Sequence, residues 1–196
     1  MENTKKKPQV RFKGFTDDWE QCTLKDVSNE IIAGGDIKKD KLLKKGKYPV
    51  IANALTNDGI VGYYKNEYKV KAPAITITGR GDIGHAQART INFTPVVRLL
   101  TIKTKHDIKF LENGINILDI MQESTGVPQL TIPQLGNYKI FFPKSLIEEN
   151  KIGKYFETLD KSITLYQRKD RQKKKKGKKI KANLHTKQER RRRTYL

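Results

Sequence analysis

The stretch from Pro143 to Tyr166, PKSLIEENKIGKYFETLDKSITLY, decides how the chain is organised. Ser145 followed three residues later by Glu148 has the form of a capping box directly behind a proline, and it places a helix start at Leu146. Behind it, Ile152, Phe156, Leu159, Ile163 and Tyr166 advance by four, three, four and three residues. This is a coiled-coil seam two heptads long, and it calls for a helical partner. At two heptads the same pattern also describes an amphipathic helix lying on its own domain. Past Lys169 the seam positions become Asp170, Lys173 and Gly177, so the apolar stripe stops while basic character rises. The reading is a connector helix over 144–170 and a basic, low-complexity tail over 171–196, expected to be disordered.

Upstream of Pro143 the periodicity changes. From Tyr48 to Ile140 come short β-prone runs broken by turn residues: YPVIANA, then TNDG, IVGYY, YKV and AITIT. INFTPVVRLLTI reads as a strand pair interrupted at Pro95, and FLENGINILDIM, from Phe110 to Met121, as a short helix. Trp19 is a core anchor near the start of the first packed segment. The expected class is α+β: a β-rich module over 1–143, a long coiled-coil-type helix, then the tail. At 196 residues there is room for a single core.

Charge narrows the partners. Lys and Arg number 41 against 21 acids, a net of +20, which points to a polyanion. Residues 170–196 hold 13 basic residues and 2 acids, so the remaining body still carries +9. The single cysteine, Cys22, permits no internal disulfide framework and fits a reducing, cytoplasmic setting. The basic N-terminus lacks the apolar stretch of a signal peptide, and no run approaches a membrane span.

Gly79-Arg80-Gly81-Asp82-Ile83-Gly84 matches G-x-G-x-x-G behind a strand candidate. A dinucleotide site needs a helix opening at the third glycine, whereas HAQARTINFTP is β-branched and runs into Pro95, so a strand-to-strand loop is expected. Such a loop projects Arg80, His85, Gln87 and Arg89, types that read bases and phosphates. A second loop, Gln122 to Gln129, offers Gln122, Thr125 and Gln129, and glutamine pairs with adenine through N6 and N7. Asn57 and Tyr63, around the TNDGIVGYY turn, are further base-reading candidates. Lys38, Lys39 and Lys41 lie in a loop-like lysine cluster suited to phosphate contact, or simply to a solubilising surface. No catalytic constellation is found. There is no phosphate-loop motif, no partner for His85 or His106 at metal-ligand spacing, no histidine beside Cys22, and no adenine methyltransferase or Pro-Asp nuclease motif. No metal or cofactor is expected.

Four stretches together resemble a known family: RFKGFTDDWEQCTLKDV (11–27), ITITGRGDIG (75–84), STGVPQLTIPQLGNYKIFFP (124–143) and EENKIGKYFETLDKSITLYQRK (148–169). From about Phe12 to Lys169 the chain is similar to the amino-terminal half of specificity subunits of type I restriction-modification systems. The resemblance implies a target-recognition domain that binds double-stranded DNA, a helix that pairs antiparallel with a second one to space a bipartite site, and no catalysis of its own. It also implies methyltransferase and restriction subunits as partners. Where the family has a second recognition domain this chain stops, and its end, DRQKKKKGKKIKANLHTKQERRRRTYL, reads like that of a truncated or frame-shifted gene. A second copy, or another half-subunit, is then the expected helix partner. A helix of about 25 residues spans roughly 38 Å, close to one turn of B-DNA. The alternative is an interaction module that reads no DNA and docks through its helix onto a larger methyltransferase or nuclease.

Overall fold

The computed structural model describes the backbone of residues 5–120 and 129–194, with side chains over 6–120 and 129–176. Two compact units, 1–154 and 155–196, make up the chain. The first contains strands β1 (Lys5–Lys6), β2 (Trp19–Thr23), β3 (Glu30–Ala33), β4 (Tyr48–Ile51), β5 (Ile60–Tyr64), β6 (Ala74–Ile77), β7 (Ala86–Arg89), β8 (Thr94–Pro95), β9 (Leu100–Lys103) and β10 (Lys139–Phe142). Helices are α1 (Ile108–Asn116), α2 (Ile132–Asn137) and the long α3 (Leu146–Thr194). This is the expected α+β arrangement, a β-rich module followed by a long helix.

The strands form three sheets, ordered β3-β9-β6-β7, β1-β2-β10 and β5-β4-β8. All four residues of β6 are buried, three of them apolar and the fourth, Thr76, hydrogen-bonded through its hydroxyl. Ile75 and Ile77 enter the main core with Phe110, Leu111 and Ile115 of α1. Ala74 belongs instead to a smaller core with Ile51, Val70, Phe93 and Leu99. Trp19 packs on the main core, its ring edge-on to Phe110 at 5.8 Å.

Helix α1 begins two residues before the predicted Phe110, because Asp107 caps it. Its Oδ1 accepts from the backbone N–H of Lys109 and of Phe110, each at 2.8 Å. Helix α2 was not foreseen. Thr131 and Gln134 form its capping box, with a proline in the first turn.

Helix α3 starts at Leu146, as the sequence indicates, but Glu148 does not serve as a capping residue. Its carboxylate is buried and accepts from Arg11 Nε (2.6 Å) and Nη2 (2.7 Å), with Trp19 Nε1 at 3.4 Å. An inward bidentate pair with arginine outweighs a bond back to one backbone N–H. The neighbouring Glu149, fully buried, meets His106 Nδ1 at 2.8 Å and accepts from the N–H of Asp107. Gly153 completes the contact: a Cβ there would lie 2.0 Å from Asp107 Oδ1. Ile152, first position of the heptad stripe, packs against the module's own core.

The helix was expected to end near Asp170, yet its backbone runs to Thr194, so the segment read as a disordered tail continues it. Lys, Arg, Gln and Glu are good helix formers without any apolar face. Pairs one turn apart, Lys161 with Glu157 (2.7 Å) and Lys174 with Asp170 (2.8 Å), add to this.

Candidate nucleic-acid interface

Strands β6 and β7 pair antiparallel through Thr76–Gln87 and Ile77–Ala86, so the G-x-G-x-x-G residues lie in a hairpin loop, as predicted, and not at a helix start. Gly81 and Gly84 turn the loop with φ of +74° and +88°. Thr78 holds its two feet: its N–H donates to the His85 carbonyl (3.0 Å), and its Oγ accepts from the His85 N–H (3.0 Å).

Strand β9 lies beside β6 with Leu100 opposite Ile77, so the turn before β9 leaves the same end of the sheet. That turn closes through the Leu99 N–H on the Val96 carbonyl at 3.0 Å, and Arg98 sits in it at φ +68°. A third strand of backbone arrives from α2's approach: the Leu130 N–H donates to the Gly79 carbonyl at 3.0 Å, and Arg80 bridges Gln129. Asn53 ties two of these segments together. Its Oδ1 accepts from the Gly79 N–H (2.8 Å) and its Nδ2 donates to the Val97 carbonyl (3.0 Å).

The structure therefore brings together Arg80 and Gln129, two candidates far apart in sequence, and adds Arg98, whose Nη1 donates to Gln129 Oε1 at 2.6 Å. Arg80 and Gln129 are exposed and Arg98 is half-exposed. Nothing in VVRLL marks Arg98 as a turn residue, because the sign of its φ is imposed by what packs against it. His85 is exposed at the far foot of the hairpin loop.

Other candidates lie elsewhere. Arg89 occupies the opposite end of β7, its Nε donating to Thr76 Oγ at 2.9 Å. Burial pushes its guanidinium below the ordinary arginine range, against the pull of Asp58 and Glu112. It lies along the sheet and does not join the cluster. Asn57 is exposed in a left-handed turn at φ +53°, with its Nδ2 donating to the Ile60 carbonyl, and the adjacent Asp58 accepts from Gln87 Nε2 at 3.2 Å. Tyr63 is half-buried in β5, its backbone paired with Leu43.

The lysine segment leaves the same sheet end, since the Gly34 N–H donates to the Leu99 carbonyl at 2.8 Å and Gly35 bridges Val96. Lys38 and Lys41 share Glu67, at 3.2 and 3.7 Å, while Lys39 is exposed in the turn between them. Gln122 and Thr125 lie outside the described residues. On α3, Phe156 is half-buried, and Leu159, Ile163 and Tyr166 are 39%, 54% and 71% exposed. Among the described residues no helix is long and apolar enough to cross a membrane.

The chain is 29% identical over 141 residues to a putative type I specificity subunit of Mycoplasma pneumoniae, an alignment covering 69% of this chain and 38% of that protein. Its fold is similar to the type I restriction-modification S subunit of M. genitalium (TM-score 0.64, 16% identity, 76% of this chain and 40% of the other). It is also similar to a chain solved in work on complex assembly of the type I R-M system (TM-score 0.61, 15% identity, 82% and 42%). The HsdS subunit of Thermoanaerobacter tengcongensis matches with a TM-score of 0.53 at 13% identity, over 84% and 42%. The chain thus spans about two-fifths of the length of these relatives. With residues 16–183 matching the family model of the type I restriction modification DNA specificity domain, the chain belongs to that family.

Proposed function

We propose that this chain binds double-stranded DNA sequence-specifically, as the recognition part of a type I specificity subunit, and directs methyltransferase and restriction subunits to a bipartite site without catalysing a reaction itself. The observation that carries this is the gathering of Arg80, Arg98 and Gln129 on backbone-locked loops at one end of a sheet, in a module whose body is basic. Arginine and glutamine are the side chains that read base edges, and loops held by a rigid sheet are where such readers sit. The lysines leaving the same end suit phosphate contact, with Lys39 the freest to give it, since Lys38 and Lys41 share Glu67. The exposed stripe Leu159, Ile163 and Tyr166 supports pairing of α3 with a second helix, which would fix the spacing of the two half-sites.

The test is selection of bound duplexes from a random pool by the full chain, with and without a type I methyltransferase subunit. A bipartite consensus is expected, with log affinity falling linearly in log salt by about 0.9 per phosphate neutralised. No enrichment in either arm, or salt-independent affinity, would refute the proposal. So would methyl transfer or cleavage by the purified chain alone.

A further inference from the structure

The turn Val96–Leu99 contains the feature least explained by folding. With its closing bond from Leu99 N–H to the Val96 carbonyl and a positive φ only at the third residue, it has the form of a type II turn. That third position favours glycine, yet Arg98 occupies it at φ +68°. A strained non-glycine residue persists where its surroundings over-determine it, and here they do. The Arg98 carbonyl is pressed against Gly79, where a Cβ would come within 2.2 Å of the oxygen, and the preceding carbonyl is held by Asn53. None of these contacts uses the arginine side chain, so the fold does not need an arginine there.

What the side chain does is reach Gln129. Arginine offers donors only, so its 2.6 Å bond fixes the Gln129 amide with oxygen toward Arg98 and NH2 away from it. The pair then offers as donors the remaining guanidinium N–H groups and the Gln129 NH2, with one Gln129 Oε1 lone pair already taken by Arg98. Among the base edges in the major groove, guanine alone shows two adjacent acceptors, O6 and N7, while adenine and cytosine each show an amino donor that this edge would repel.

We infer that Arg98 is a specificity-determining residue that reads guanine in the major groove, oriented by Gln129. The inference rests on the reading of the chain as a DNA-binding module and names the part of the target that this corner of it recognises.

The test uses the full chain and a random duplex pool, comparing wild type with Arg98→Gly and Arg98→Lys. Arg98→Gly relieves the backbone, so its Tm should hold or rise by a few degrees, while preference for guanine at one position falls by about 5- to 150-fold. Arg98→Lys keeps the charge and the backbone strain but loses the planar fork, and should lower the same preference by less than Arg98→Gly does, with little change in affinity for random DNA. Should Arg98→Gly fail to fold, the lysine variant carries the test alone. Unchanged preference at every position in both variants overturns the inference and leaves the proposed function standing. Equal losses on selected and random DNA make Arg98 a phosphate contact and overturn it too. If the wild type selects no sequence, DNA reading itself fails, and this inference with it.

Discussion

At Gly79 two loops meet with no room for a side chain, since a Cβ would lie 2.2 Å from the Arg98 oxygen and 3.3 Å from that of Leu130. Both obstacles are backbone, so relief requires the loops to part. Gly79→Ala should cost about 1–3 kcal/mol in urea unfolding. It should also blur base selection, because the displaced loops carry Arg80 and Arg98. Arg80→Ala separates the two effects. Its side chain is exposed, so unfolding should be unchanged while discrimination at one base pair relaxes by about 1–3 kcal/mol. Lys39→Ala, in contrast, should weaken binding to all sequences alike and lower the salt slope by about 0.9. Equal losses on specific and random DNA for both variants would refute this division of labour. At this scale the residue types were legible and their company was not. Arg80 and Gln129 were nominated on separate loops, and only the bridge between their backbones shows them to be neighbours.

At the scale of elements, the start of α3 was legible because proline, serine and glutamate follow one another in the right order, and Leu146 is where the helix begins. The same letters misled about Glu148. A glutamate three residues after a serine satisfies the local pattern, but Arg11 and Trp19, distant in sequence, claim its carboxylate. Glu149 carried no signal at all, though it joins α3 to the start of α1 through His106 and Asp107. Glu149→Ala leaves the half-buried Asp107 N–H without its acceptor and should cost about 1–3 kcal/mol, measured as a lower urea midpoint with unchanged slope. An unchanged midpoint would show that the contact adds nothing. Helix α2 escaped notice because six residues give no periodicity, although Thr131 and Gln134 already spelled its capping box.

Over the whole molecule, the body is still at +9 without its last 27 residues, the charge on which the proposed polyanionic partner rests. The heptad stripe was legible too, but not its division. Ile152 serves the module's own core, while Leu159, Ile163 and Tyr166 are exposed. If α3 pairs with a second copy, sedimentation at micromolar concentration should show a dimer that Leu159→Asp with Ile163→Asp abolishes. A wild-type chain that is monomeric at every concentration would rule out self-pairing.

Asn53 grips its two loops by main-chain groups alone, the Gly79 N–H and the Val97 carbonyl, so its hold does not run through the side chains at 80 and 98, although the positive φ at 98 still favours glycine there. Scaffold and message are thereby written in different atoms. On the proposed reading, a chain that keeps Asn53 and Gly79 while varying Arg80, Arg98 and Gln129 would change its target sequence without losing its fold, and a protein engineer could re-address it at the same three positions.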